Sequence, residues 1–385
     1  MTDLKNSDAF HRFHSHLSRI AGWIRSNAVF CIAVLLAIVT SCIVPPDKAY
    51  AGYFDWKTLT CLFCTLAVVC ALRNIHFFTI IARKIVDCTG NLRTAVVALV
   101  YITFLGSMLI SNDMALLTFL PLGYFVLSST GEEEHMAFVF IMQNIAANLG
   151  GMLTPFGNPQ NLYLYAKFQI PTGEFMQIML IPFLASIAAI TVCCLFLPAN
   201  RLELRQASAD RLPALRTAVY LALFAFSIII VFRIIPYWIG LIVIPLSLLF
   251  LDRSALRQVD YALLGTFFCF FIFAGNMARI PAVREFFSVM LEKNTLLFSI
   301  LSCQVISNVP SAILLSQFTT DYPALLLGVN IGGTGTLIAS LASLISFREF
   351  TRHNPGKAGY YLLRFTAFNV GFVAVLSLVA ALTLR

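Results

Sequence analysis

Residues 147–161 read ANLGGMLTPFGNPQN, and the fold turns on this stretch. It holds three glycines, two prolines and three asparagines. In a helix interior each glycine costs about 1 kcal/mol and each proline about 3 kcal/mol relative to alanine. Yet the sequence on both sides is apolar. The chain as a whole has 385 residues, 59% hydrophobic and 11% charged, with a mean hydropathy of +0.86. A soluble domain carries about 25% charged residues. Apolar runs of roughly 20 residues, the length a helix needs to cross a bilayer core, recur from end to end. The sequence therefore reads as an all-α polytopic membrane protein whose helices are broken in chosen places.

Composition excludes several classes. The net charge of +8 is spread over loops, as membrane orientation requires, so no nucleic-acid partner is expected. The ten cysteines lie mostly inside apolar runs. CLFC, Cys61 to Cys64, has a CxxC spacing but apolar surroundings that suit neither a metal nor a reactive thiolate. HRFHSH, His11 to His16, belongs to a short basic amphipathic lead that fits anionic headgroups better than a metal. Residues 27–44 followed by AYA at 49–51 have a signal-peptide form, but the long lead and the later spans favour an uncleaved first span. No nucleotide-binding loop, metal motif or nucleophile elbow occurs, so an enzyme is not expected.

Spans are expected at 27–44, 56–72, 135–165, 175–198, 216–233, 236–251, 260–278, 323–345 and 358–383. Two more apolar stretches, 92–128 and 295–318, contain polar clusters and are read as re-entrant, leaving on the side they enter. The N-terminus then lies inside and the C-terminus outside, and basic residues favour the inside by roughly two to one. The resulting division is a cytoplasmic amphipathic lead (1–26), a first transmembrane repeat (27–199), a cytoplasmic linker (200–216) and a second repeat (217–385).

The two halves match in three places. VNIGGTGTLIASLAS (329–343) lies under the opening stretch, pairing Asn148 with Asn330, Gly150 and Gly151 with Gly332 and Gly333, and Thr154 with Thr336. The same register pairs Asn158 with Ser340. LISND (109–113) matches VISNV (305–309), and FDWKTL from Phe54 matches VDYALL from Val259. In this threading the helices after Asp55 and Asp260 cross in opposite directions, which makes the repeats inverted. That is an architecture of secondary transporters, with sites near the midplane on broken helices. Irregular backbone is tolerated there only where protein or a water-filled cavity satisfies it. Glycine would let the chain turn and a ligand approach, freed carbonyls could bind a cation, and half-helix N-termini could bind an anion.

ISNDMALLTFLPL, NLGGMLTPFGNPQNLYLY, ISNVPSAILLSQFT and GVNIGGTGTLIASLASLIS together resemble the ion transporter superfamily. The resemblance is nearest to its citrate-transporter-like permeases, with divalent anion/sodium symporters and arsenite permeases more distant, and it spans about residues 55–380. It implies an elevator-type carrier with a scaffold and a moving transport domain, each half giving a hairpin tip and an unwound helix. In the sodium-coupled dicarboxylate branch both tips read Ser-Asn-Thr and hold substrate carboxylates and sodium. Here the tips are Ser111-Asn112-Asp113 and Ser307-Asn308-Val309. Ser and Asn carry over, both threonines are lost, and the Asn-Asp pair is closer to the arsenite-permease style.

The expected function is secondary active transport of a small anion, a carboxylate first, across the cytoplasmic membrane. An arsenite or oxyanion efflux permease, or a cation/proton antiporter, is the alternative. No cofactor is expected; sodium or a proton is the coupling ion. The partners are the anionic solute and the lipid bilayer, and a homodimer is left open. Candidate substrate contacts are Ser111, Asn112, Asp113, Thr154, Asn158, Ser307, Asn308 and Thr336. Candidate ion ligands are Ser111, Asn112, Asp113, Asn148, Gly150, Gly151, Ser307, Asn308, Asn330, Gly332 and Gly333. Asp113 is the sharpest of these, because a carboxylate inside a membrane is costly and functional by default; a shallow tip would instead leave it solvated. GEEEH, 131–135, reads as a solvated inner loop, and Arg279 as a snorkelling residue.

Overall fold

The computed structural model describes residues 27–201 and 212–384. The amphipathic lead and most of the linker lie outside the described residues. The described chain is helical, apart from one isolated bridge between Asn91 and Arg201. The first helices are α1 (Ala28–Ile43), α2 (Trp56–Asn74), α3 (Phe77–Asp87), α4 (Leu92–Ile110), α5 (Asn112–Thr130), α6 (Met136–Gly150), α7 (Pro159–Lys167) and α8 (Thr172–Leu195). There follow α9 (Ala214–Val231), α10 (Tyr237–Leu251), α11 (Arg253–Arg257) and α12 (Tyr261–Arg279). The series closes with α13 (Pro281–Ile306), α14 (Asn308–Leu315), α15 (Tyr322–Gly332), α16 (Leu341–His353) and α17 (Ala358–Thr383). Among the described residues nine helices are long and apolar enough to cross a membrane. This is an all-α, multi-pass membrane protein.

Local chemistry explains where the helices start. Asp55 accepts from the Thr58 backbone N–H at 3.0 Å and opens α2; Asp260 accepts from Leu263 N–H at 2.9 Å and opens α12. Such caps contribute about 1 kcal/mol each. Asn91 opens α4 in the same way through Thr94. Its counterpart is hidden inside α13. Asn294 leaves the helical region there (φ −166°, ψ 92°) and caps the continuation through Leu297 N–H. So α13 is two helices meeting at a kink, in the places that α3 and α4 occupy in the first series.

The helices α2 and α12 run antiparallel. Arg73, near the end of α2, donates to Gln258 just before α12 at 3.0 Å. Arg279, the last residue of α12, donates to Tyr53 just before α2 at 3.2 Å. The packing around them is crossed: α1 lies along α12, and α10 lies along α2. Small residues permit such close seams where lipid gives no hydrophobic drive. Gly265 of α12, for example, faces the ring of Phe30 of α1.

Three expectations change. Arg279 does not simply snorkel. Its guanidinium makes a two-point ion pair with Asp47 at 3.0 and 2.7 Å and holds that carboxyl below the usual range. In GEEEH, Glu133 and Glu134 are exposed, but Glu132 is half-buried and accepts from Asn200 at 3.0 Å. The stretch 92–128 forms two 19-residue helices, each long enough for a span. Its reading as a hairpin therefore stands on the tip between them rather than on length.

Candidate functional site

Both tips have the same backbone. Ser111 joins α4 to α5 at φ 71°, ψ 158°, and Ser307 joins α13 to α14 at φ 74°, ψ 161°. This region is essentially reserved for glycine and costs about 1–3 kcal/mol for another residue. The asparagine that follows each serine bends back. Asn112 Oδ1 accepts from the Asp113 N–H at 3.0 Å, and Asn308 Oδ1 accepts from the Val309 N–H at 2.9 Å. Each side-chain oxygen thus has a backbone donor of its own.

The breaks also match. After α6 the chain makes a 3₁₀ turn at Gly151–Leu153, becomes extended at Thr154 and restarts as α7 at Pro159. After α15 it turns through Gly333 and restarts as α16, where the Ser340 hydroxyl accepts from Ala342 N–H. Thr154 donates to the carbonyl of Met108, and Thr336 to the carbonyl of Gln304, both at 3.2 Å. Each acceptor lies three residues before its tip serine. The remaining freed groups find different partners. Asn161 donates to the carbonyls of Gly151, Met152 and Thr154. Gln304 donates to Gly332 O at 2.9 Å and accepts from Thr336 N–H at 2.7 Å.

The glycines sit where the two helices break off. Gly151 and Gly333 have φ of −67° and −62°, which any residue adopts. A methyl on Gly150 would drive into the Phe104 carbonyl and the Ser107 hydroxyl, and one on Gly332 would sit 2.9 Å from Cys303 Cβ. The space they free is filled by the adjacent hairpin arm rather than left for a ligand. That is the small-residue seam of membrane helices.

The two halves meet through amides. Asn112 donates to Asn148 Oδ1 at 3.0 Å and to Ser340 Oγ at 3.3 Å. Asn158 donates to the Asn148 carbonyl at 3.2 Å, and Asn330 to Asn161 Oδ1 at 2.6 Å. The second tip is held by main chain, with Asn308 N–H donating to Ala339 O at 2.9 Å. Ala339 and Ser340 are neighbours, so both tips rest on one dipeptide.

Beside these contacts lies a cavity of about 110 Å³. The first residues of the four tip and break helices line it, Asn112 of α5, Pro159 of α7, Asn308 of α14 and Leu341 of α16, and Ala28 of α1 joins them. Each helix N-terminus carries about half a positive charge. Asp113, Ser307, Gln160 and Ser340 complete the inner wall, and Asp260 and Arg348 belong to the same lining. Asp113 Oδ1 and Gln160 Oε1 are buried oxygens with no protein donor among the described residues. Such a wall can seat an anion on helix dipoles and a cation or proton beside Asp113.

Of the sequence candidates, Asn112, Asp113, Ser307 and Asn308 line this cavity, and Asn148 and Asn330 stand behind it. Ser111 and Asn158 face a recess of about 20 Å³ on the other side of the first tip. Thr154 and Thr336 are turned to hairpin carbonyls, and Gly150 and Gly332 pack on the hairpin arms. Gly151 lies against Asn158 and Gly157 of its own break, and Gly333 against Asn308 of the second tip. Sequence reasoning missed Gln160, Ser340, Asp260 and Arg348. Ser340, Asp260 and Gln160 were already in the aligned blocks; Arg348 carries no pattern of its own.

Comparisons with known proteins agree with this architecture. The profile of a citrate transporter family matches residues 19–321. An uncharacterized transporter of Methanocaldococcus jannaschii is 31% identical over 318 residues, 82% of this chain and 86% of its own. The inner membrane protein YbiR of Escherichia coli is 26% identical over 332 residues, 84% and 88% of the two chains. The silicon efflux transporter LSI3 of Oryza sativa subsp. japonica is 30% identical over 135 residues, 35% of this chain and 27% of its own. The match covers most of the chain, including both tips and the first break: the protein is a membrane transporter, not an enzyme, and belongs to the citrate transporter family.

Proposed function

We propose that the protein is a secondary active transporter of a small anion, a carboxylate first, coupled to sodium or protons in the cytoplasmic membrane. The observation that carries this is the convergence of four helix N-termini on one small cavity. Backbone N–H groups and helix dipoles there favour negative charge. Asp113 in the same wall would repel an anion unless a cation or proton balances it. That requirement gives coupling a physical basis, since the balancing charge then travels with the solute. Antiparallel α2 and α12, with like caps, support two inverted repeats. An elevator-type movement is the reading that fits hairpin tips and breaks carried together. The cavity is lined by Asn27 and Asp260, which precede α1 and α12, and by Arg348 of α16, residues that the threading puts on the cytoplasmic side, with the N-terminus inside and the C-terminus outside.

A second reading, export of an undissociated or singly charged oxyacid, is favoured by Asp113 at the first tip and by the likeness to a silicon efflux transporter. Counterflow uptake into proteoliposomes separates the two. Citrate, succinate, sulfate, arsenite and silicic acid would be tested with and without sodium or pH gradients. Saturable movement of a carboxylate is the expected outcome. Movement of arsenite or silicic acid alone would replace the first reading by the second.

A further inference from the structure

A larger cavity of about 680 Å³ lies further along three of the same helices. Gln160 of α7, Thr266 of α12 and Pro310 of α14 line the small cavity. Further along the chain, Lys167 of α7, Phe271 of α12 and Gln317, just past α14, line the large one. At a rise of 1.5 Å per residue, these intervals are only about 7–11 Å long. Two unrelated surface clefts would have no reason to share three parallel helices. A thin septum between two mouths of one path accounts for the arrangement.

The septum has a keystone. Tyr163 lies on α7 between Gln160 and Lys167 and is 2% exposed. Its ring is 5.6 Å from that of Phe271. Its hydroxyl is 3.0 Å from Ser316 Oγ, and Gln317 donates to it at 3.4 Å. One side chain, on the part of α7 between the two linings, thus joins all three elements. A tyrosine suits a gate, because its ring blocks passage while its hydroxyl is held by bonds that can be exchanged for water.

We infer that the two cavities are opposite mouths of one transport path, and that Tyr163 closes it on the side of the larger mouth. Lys167 and Arg284 in that mouth suit the approach of a small anion. What passes through rests on the anion-transport reading; the closure itself does not, and it is tested without a substrate.

Single Val309→Cys (small cavity) and Ala278→Cys (large cavity) variants would be treated in sealed vesicles with a membrane-impermeant thiol reagent from either side. Labelling is read peptide by peptide, so the ten native cysteines stay in place. The two positions are expected to label from opposite sides. Adding Tyr163→Ala to Val309→Cys should raise its labelling from the Ala278 side at least about ten-fold, a barrier change of about 1.4 kcal/mol. Tyr163→Phe, which keeps the ring, should not. Phe271→Ala provides the same test should Tyr163→Ala fail to fold. Labelling of both cysteines from one side, or no gain in either alanine variant, overturns the inference. An intact labelling pattern with none of the tested solutes transported would instead overturn the anion reading alone.

Discussion

The first tip and the second share a backbone and differ in charge. Ser111 and Ser307 adopt the same rare conformation, each following asparagine bends back onto the next N–H, and each break sends a threonine to the same carbonyl of its hairpin arm. Against this, Asp113 faces the cavity where the second tip has Val309. The breaks are also clamped by different residues, Asn161 in the first and Gln304 in the second. The two tips share what sets the geometry and differ in what sets the chemistry. The site can therefore be symmetric in shape and polar in action, with the balancing charge on one side only.

The sharpest way to break this comparison is to exchange the one charge. Asp113→Asn should keep solute exchange but lower gradient-driven accumulation by on the order of 10–100-fold, the size expected for losing a charged ligand interaction. Val309→Asp in that background should not restore it, because the second tip is tied to Ala339 by its main chain. Restoration, or an Asp113→Asn protein that accumulates solute as wild type does, would make the tips equivalent. Proteoliposome uptake under imposed sodium and pH gradients reads both variants.

A smaller effect compares the two glycine seams. Overpacking costs about 1–3 kcal/mol. Gly150→Ala should lie at the upper end, because it meets the fixed Phe104 carbonyl. Gly332→Ala should lie at the lower end, because its nearest contact, Cys303 Cβ, is 2.9 Å away rather than 2.2 Å. Thermal unfolding in detergent gives the order, and a reversed order would mean that the second seam is the rigid one. Smallest are Ser111→Gly and Ser307→Gly. Each relieves backbone strain of about 1 kcal/mol, but Ser307→Gly also loses the 3.2 Å bond from its hydroxyl to the Ala339 carbonyl, so Ser111→Gly should be the more stabilising of the two. A larger gain from Ser307→Gly would show that the first turn is not the strained one.

Much of this was legible because a membrane makes interruption conspicuous. Glycine and asparagine inside apolar runs mark both breaks, with proline at the first, and a Ser-Asn pair marks both tips. Spacing could not say what the interruptions touch. Gly150 and Gly332 were found, but their reason was not, because the hairpin arms they face are about 45 and 30 residues away along the chain. Gln160 and Arg348 reach the cavity only through where α7 and α16 begin and point. The Arg279–Asp47 pair joins residues 232 positions apart, which no local pattern announces. The Asn294 kink falls where the sequence reading starts its second re-entrant stretch, at 295, but its role as a helix cap shows only in the backbone.

The crossed packing of α1 on α12 and α10 on α2 has a consequence for how the chain is made. When α1 leaves the ribosome, its neighbour α12 lies more than 200 residues behind it. At a synthesis rate of about 5–20 residues per second, α1 waits for roughly 10–40 s in the bilayer without that partner. Its sixteen apolar residues must hold their place against lipid alone during that time, and the second half then closes over the first like a clasp. Nascent chains halted before α12 should therefore be the ones that membrane quality-control proteases reach.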